Sequence, residues 1–143
     1  VENLRRKYRY PGMKILQFAF SGGADNPYLP FLHDRDCVVY TGTHDNDTSL
    51  GWYQALAPGD RALVDEFLGY PTEPMPWPLI RAALASGAYL AILPMQDLLA
   101  LDGDHRMNVP GTAEGNWTWR FSWDRIPPGL SARVRRMVGI YGR

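Results

Sequence analysis

Eight consecutive residues, Thr41-Gly42-Thr43-His44-Asp45-Asn46-Asp47-Thr48, hold the densest grouping of chemically able side chains in this chain of 143 residues. They close an apolar, β-branched run from Cys37 to Thr43 that reads as a strand. In parallel α/β folds ligands gather at the C-terminal ends of strands, so His44, Asp45 and Asp47 are expected on the functional face. Capping of a following helix by Asp47 or Thr48 accounts for neither His44 nor Asp45. An Asp-x-Asp pair can also hold a divalent ion against a nucleotide-sugar diphosphate, which needs only Asp45 and Asp47. A calcium loop is excluded, because its sixth position is Leu50 in place of Gly and its twelfth is Leu56 in place of Glu.

A second grouping runs from Arg106 to Arg120 and combines fork donors (Arg106, Arg120), amides (Asn108, Asn116), turn residues (Pro110, Gly111, Gly115) and two Trp at alternate positions. Such a loop offers hydrogen bonds matched to hydroxyls beside ring faces, as sugar binding requires. The bland reading is an ordered loop held by Trp packing and an Arg120–Glu114 ion pair. A third stretch, Ser21 to Pro30, has glycines able to cradle a phosphate but no nucleotide fingerprint, and is expected to be a rim or lid. There is no Gly-x-Ser-x-Gly, and Cys37 lies inside a strand, which sets aside serine and cysteine hydrolases.

The elements that must position these groups are legible in the apolar periodicity. Strands are expected over Met13 to Phe20, Cys37 to Thr43 and Tyr89 to Leu93, all nearly continuous in apolar character, as strands covered on both faces are. Helices are expected at the start (Glu2 to Tyr8), over Arg61 to Leu68 after a Pro58-Gly59-Asp60 turn and cap, from Pro78 onward, and over Leu130 to Tyr141. The four prolines around Trp77, from Pro71 to Pro78, read as a stiff surface connection. Alternating strands and helices indicate an α/β fold with a parallel sheet. A closed eight-stranded barrel typically needs ~250 residues, so only part of one fits here. The start at Val1, inside an apparent helix, suggests a piece of a longer protein.

Composition narrows the partners. Fifteen Lys plus Arg balance fifteen Asp plus Glu, which argues against nucleic acid. The longest apolar runs fall far short of the ~20 residues of a membrane span. Cys37 is the one cysteine, so no internal disulfide or thiolate metal site forms, and a reducing, cytoplasmic setting is expected. Five Trp and eight Tyr, many beside Asp, Asn, His or Gly, suit either a wet ring-lined site or ordinary packing.

Several segments, in order along nearly the whole chain, closely resemble the amylomaltases, the 4-alpha-glucanotransferases also called disproportionating enzymes. They are Pro11 to Phe20, Asn26-Pro-Tyr-Leu-Pro30, Val38 to Thr48 with Gly51-Trp52, Pro94-Met-Gln-Asp-Leu-Leu99, Arg106-Met-Asn, Pro110-Gly-Thr and Asn116-Trp. The resemblance implies the C-terminal part of an eight-stranded (β/α) TIM-type barrel of the α-amylase clan, strands six to eight with their helices. Residues 1–143 would be a partial barrel domain whose N-terminal part is missing.

The resemblance further implies retaining transfer of α-1,4-glucan segments to a glucose or glucan acceptor, with Asp45 as the third catalytic carboxylate and His44 sharing the sugar hydroxyls. Phe18 and Asn108 would line the donor side, with Asn26 on the rim and Pro110 in the second loop. Ser21-Gly22-Gly23 departs from the acidic residue many relatives carry there. The nucleophile and the acid/base would lie upstream, leaving this fragment inactive alone. No metal or organic cofactor is implied, and the partners would be α-1,4-glucans, maltooligosaccharides and glucose. Self-association of the fragment through open strand edges is expected. Three alternatives stand: a metal-dependent nucleotide-sugar glycosyltransferase, which chelation would expose, a glucan hydrolase of the same clan, and a noncatalytic glucan-binding module.

Overall fold

A computed structural model describes residues 1–143. Three short parallel strands, β1 (Gly12–Ile15), β2 (Cys37–Tyr40) and β3 (Leu90–Ile92), form one sheet in the order β1-β2-β3. Their register aligns Met13 with Val38 and Leu90, and Ile15 with Tyr40 and Ile92. The helices are α1 (Glu2–Lys7), α2 (Ser49–Ala55), α3 (Pro58–Phe67), α4 (Trp77–Ala85), α5 (Met95–Leu98) and α6 (Leu130–Ile140).

Residues paired across a parallel ladder share a face. Cys37 and Val39 point to the helical side, where they join Leu16, Val64, Met75, Leu79, Ala83 and Ala88 in the main core. The opposite face is largely bare: Met13 is 58%, Leu90 42% and Ile92 39% exposed. The expectation of strands covered on both faces therefore fails for this chain, although their apolar character is what two-sided burial would select.

All three strands are shorter than expected. After Ile15 the backbone turns into a 3-10 segment, Leu16–Phe18, because Leu16 dives into the core while the Gln17 amide reaches Asp47 O at 2.8 Å. Helix α3 starts at Pro58, whose ring suits a first helical turn, so Asp60 sits inside the helix as a first-turn acid and is not its cap. Nor is Pro71 to Pro78 wholly a surface connection. Met75, Pro76, Trp77 and Pro78 are buried, and Trp77 packs with Ile80, Leu84 and Met137 to seat α6 on α4. Above that contact Arg133 lies 3.4 Å from the Trp77 ring centroid and bonds Glu73, which also receives Arg81.

Candidate active site at the mouth of the sheet

The strand β2 ends at Tyr40, and the chain then crosses Thr41 to Thr48 before entering α2. Thr48 is the cap: its side chain accepts from Gly51 N at 3.1 Å, which satisfies one free donor of the first helical turn. Asp47 is consumed locally. Its carboxylate accepts from Thr48 N at 2.7 Å, and Arg106 Nη1 stands 3.9 Å away. Gly51 and Gly103 both back onto it; a Cβ on Gly51 would come within 2.6 Å of Asp47 Oδ1 and 2.7 Å of Gly103 N.

With its neighbours anchored, the middle of the loop projects outward. Asn46 Oδ1 accepts from Thr43 N at 2.9 Å, folding the loop into a turn that leaves His44 and Asp45 exposed at its tip. His44 Nε2 lies 3.4 Å from Asp45 Oδ2, and the His44 ring sits against Trp117 with centroids 5.0 Å apart. The second loop closes on the first. Asn108 Nδ2 donates to Asp45 Oδ1 at 2.7 Å, while Arg106 donates to Asp45 O at 3.1 Å and to Asn108 O at 3.3 Å. One guanidinium thus fastens the backbone of both partners of the Asn108–Asp45 bond.

A cleft of about 360 Å³ opens between these loops, lined by His44, Asp45, Asp47, Gln96, Asp97 and Arg106, with Met13, Tyr40 and Ile92 forming its floor. The floor is the bare face of the sheet, so the cleft and the uncovered strands are continuous. The Tyr40 ring with carboxylate, imidazole and amide groups in one depression makes a surface suited to a neutral, hydroxyl-rich ligand.

The other expected binding residues lie outside that cleft. Phe18 is partly exposed and meets Tyr28 edge-to-face at 5.5 Å. The Asn26 amide is turned into its own loop: Nδ2 donates to Phe18 O at 2.8 Å and to Ser21 O at 2.6 Å, and Oδ1 accepts from Tyr28 N at 2.9 Å. It shapes the rim and offers the ligand no free amide. Pro110 is exposed in a loop that Asn116 braces through Val109 N and Thr112 O. The expected Arg120–Glu114 pair is absent, because Arg120 donates to the carbonyls of Trp117 and Trp119.

The spacing does not single out Asp97, which is only 1% exposed. Burial pushes its carboxyl up from the ordinary value, against the lowering effect of hydrogen bonds from Thr41 and Ser49. The signal available is one acid within the otherwise uncharged stretch Met95 to Leu101, followed directly by Leu98 and Leu99.

A family model described as 4-alpha-glucanotransferase matches residues 1–125. The chain is 48% identical to a 4-alpha-glucanotransferase of Synechocystis, covering 100% of this chain and 29% of that protein. It is 46% identical to the Thermus thermophilus 4-alpha-glucanotransferase over 96% of this chain and 29% of the relative, and 47% identical to a chloroplastic/amyloplastic one of Oryza sativa over 100% and 25%. Among solved structures it is similar to amylomaltase from Streptococcus agalactiae in complex with acarbose, with TM-score 0.91 and 31% identity over 99% of this chain and 29% of that one. The chain spans less than a third of the length of these relatives.

Proposed function

We propose, from the premise that this chain belongs to the 4-alpha-glucanotransferase family, that the whole protein moves α-1,4-glucan segments to a glucose or glucan acceptor with retention of configuration. The observation that carries the reading is the Asp45 carboxylate, exposed at the strand mouth and held by Asn108 at 2.7 Å. In retaining transfer one carboxylate attacks the anomeric carbon and a second donates and then removes a proton, the pair standing ~5 Å apart. A third carboxylate beside the sugar's 2- and 3-hydroxyls strengthens its hydrogen bonds as the ring flattens and positive charge develops. Asp45 takes that third role, with His44 as hydroxyl partner, Phe18 and Asn108 on the donor side, and the Asn26 and Pro110 loops as rim.

The chain is read as strands six to eight of an eight-stranded barrel, a partial domain completed by other polypeptide. Two observations support this: the bare apolar face of the sheet, and a cleft at the C-terminal strand ends, where barrel active sites sit. The nucleophile and the acid/base then come from the completing segment, and residues 1–143 alone do not transfer glucan. A divalent-ion site at Asp45 and Asp47 is disfavoured by the commitment of Asp47 to Thr48 N and its proximity to Arg106. The lone buried thiol of Cys37 supports a reducing, cytoplasmic setting.

Asp45→Asn in the complete enzyme tests the assignment. Conversion of maltotriose to glucose and longer maltooligosaccharides is expected to fall about 100- to 1,000-fold with the fold intact. Near-normal turnover rejects the role.

A further inference from the structure

The loop bearing His44 and Asp45 departs from β2 at Thr41 and enters α2 at Ser49, and both ends hydrogen-bond a single carboxylate, that of Asp97 on α5. Thr41 Oγ1 and Ser49 Oγ donate to Oδ2, the latter at 2.7 Å, and Ser49 N donates to Oδ1 at 2.8 Å. Thr41 and Ser49 are fully buried. All three donors are neutral, and the charge of Asp47, which also acts on Asp97, is of like sign. A buried carboxylate balanced by neutral donors alone costs stability compared with a well-packed apolar residue. Its return is geometric: four groups from three elements have one mutually satisfied arrangement.

The remaining tethers of the loop do not duplicate it. Gln17 brackets the loop from the β1 side, its backbone N donating to Thr41 O at 3.3 Å and its amide to Asp47 O at 2.8 Å. Arg106 and Asn108 hold Asp45 from the far loop, but only Asp97 bonds Thr41 to Ser49, the first residue of α2. We propose that Asp97 is a positioning residue for glycosyl transfer: by gripping Thr41 and Ser49 it sets where the loop tip presents the Asp45 carboxylate to the sugar. This rests on the function proposed above. Displacement of a reacting group by ~1 Å can cost 10²-fold in rate, so a clamp at the loop's base suffices to matter.

The test measures kcat and KM for maltotriose, per mole of folded protein, in the complete enzyme carrying these residues. Asp97→Ala is expected to lower kcat about 10- to 100-fold with KM held within ~3-fold. Asp97→Asn, which keeps an acceptor for Ser49 N, is expected to recover most of the loss. In an Asp45→Asn background Asp97→Ala should add nothing further, since the group it positions is already disabled. Full kcat for Asp97→Ala, or losses that multiply in the double variant, overturn the inference. Should Asp97→Ala fail to fold, Thr41→Val and Ser49→Ala run through the same cycle: a kcat loss that vanishes in the Asp45→Asn background upholds the clamp, and full kcat or multiplying losses overturn it. Normal turnover of Asp45→Asn overturns the parent reading itself, whereas a crippled Asp45→Asn beside a normal Asp97→Ala sinks only the positioning role.

Discussion

The Asn108 amide donates to the Asp45 carboxylate at 2.7 Å across a separation of 63 residues. The bond joins two loops that sequence patterning marks separately, and it leaves Oδ2 of Asp45 to His44 at 3.4 Å and to a ligand. A carboxylate held by one amide has a fixed direction, and preorganised aim is what electrostatic stabilisation of a developing positive charge demands.

That bond predicts an order of variants. Asn108→Ala in the complete enzyme removes a hydrogen bond to a charged group and is expected to lower kcat/KM for maltotriose about 10- to 100-fold. Asn108→Asp sets one carboxylate against another at contact distance and is expected to be worse than Ala. Asp faring better than Ala contradicts the geometry.

Packing at the α2 start predicts a stability loss. A methyl at Gly51 would meet Asp47 Oδ1 at 2.6 Å and the backbone of Gly103 at 2.7 Å, and backbone cannot swing aside as a flexible side chain can. Gly51→Ala is expected to destabilise by about 1–3 kcal/mol, read as a lowered melting midpoint. An unchanged midpoint refutes the contact.

His33 predicts a pH response. It is buried, with Nε2 2.9 Å from Tyr28 O, and burial pushes its pKa below the ordinary 6.5 against the opposing effect of that carbonyl. The unfolded chain therefore takes up the proton first on acidification. Stability is complete above 6.5 and declines as pH falls from there towards the folded-state value. His33→Gln, which retains a donor for Tyr28 O without titrating, is expected to show a shallower fall in melting midpoint between about pH 7 and pH 5. Parallel pH profiles would exclude His33 as the source.

The bare sheet face predicts behaviour in isolation. With Met13, Leu90 and Ile92 exposed and both sheet edges open, residues 1–143 alone are expected to self-associate in sedimentation, at a concentration-dependent size. A sharp, concentration-independent monomeric melt would contradict this.

The order of the three strands and of α1, α3, α4 and α6 was legible in the sequence because apolar spacing records which side of each segment is covered, whereas Met95 to Leu101 reads as an extension of the third strand and instead holds α5. Leu79, Ile80, Ala83 and Leu84 are buried along α4 as their spacing indicates, and Met137 anchors α6. The Thr41–Thr48 cluster was legible as well, since a strand followed by short polar residues announces a strand mouth. Segment ends were less so. Ile15 gives way to a 3-10 turn because Gln17 finds Asp47 O, a partner 30 residues distant, and no local periodicity encodes that.

By itself the sequence determined the parallel α/β alternation, the placing of His44 and Asp45 beyond β2, and the ordered segments shared with the glucanotransferases. Only the tertiary structure decided that Asn108 grips Asp45, that Asn26 is spent on its own loop, that Trp77 is buried with Pro76 and Pro78, and that Asp97 ties Thr41 to Ser49. The reason is physical. Local backbone preference and burial pattern act over a few residues, whereas which donor meets which carboxylate depends on loops brought together across tens of residues, where a shift of one ångström makes or breaks the bond.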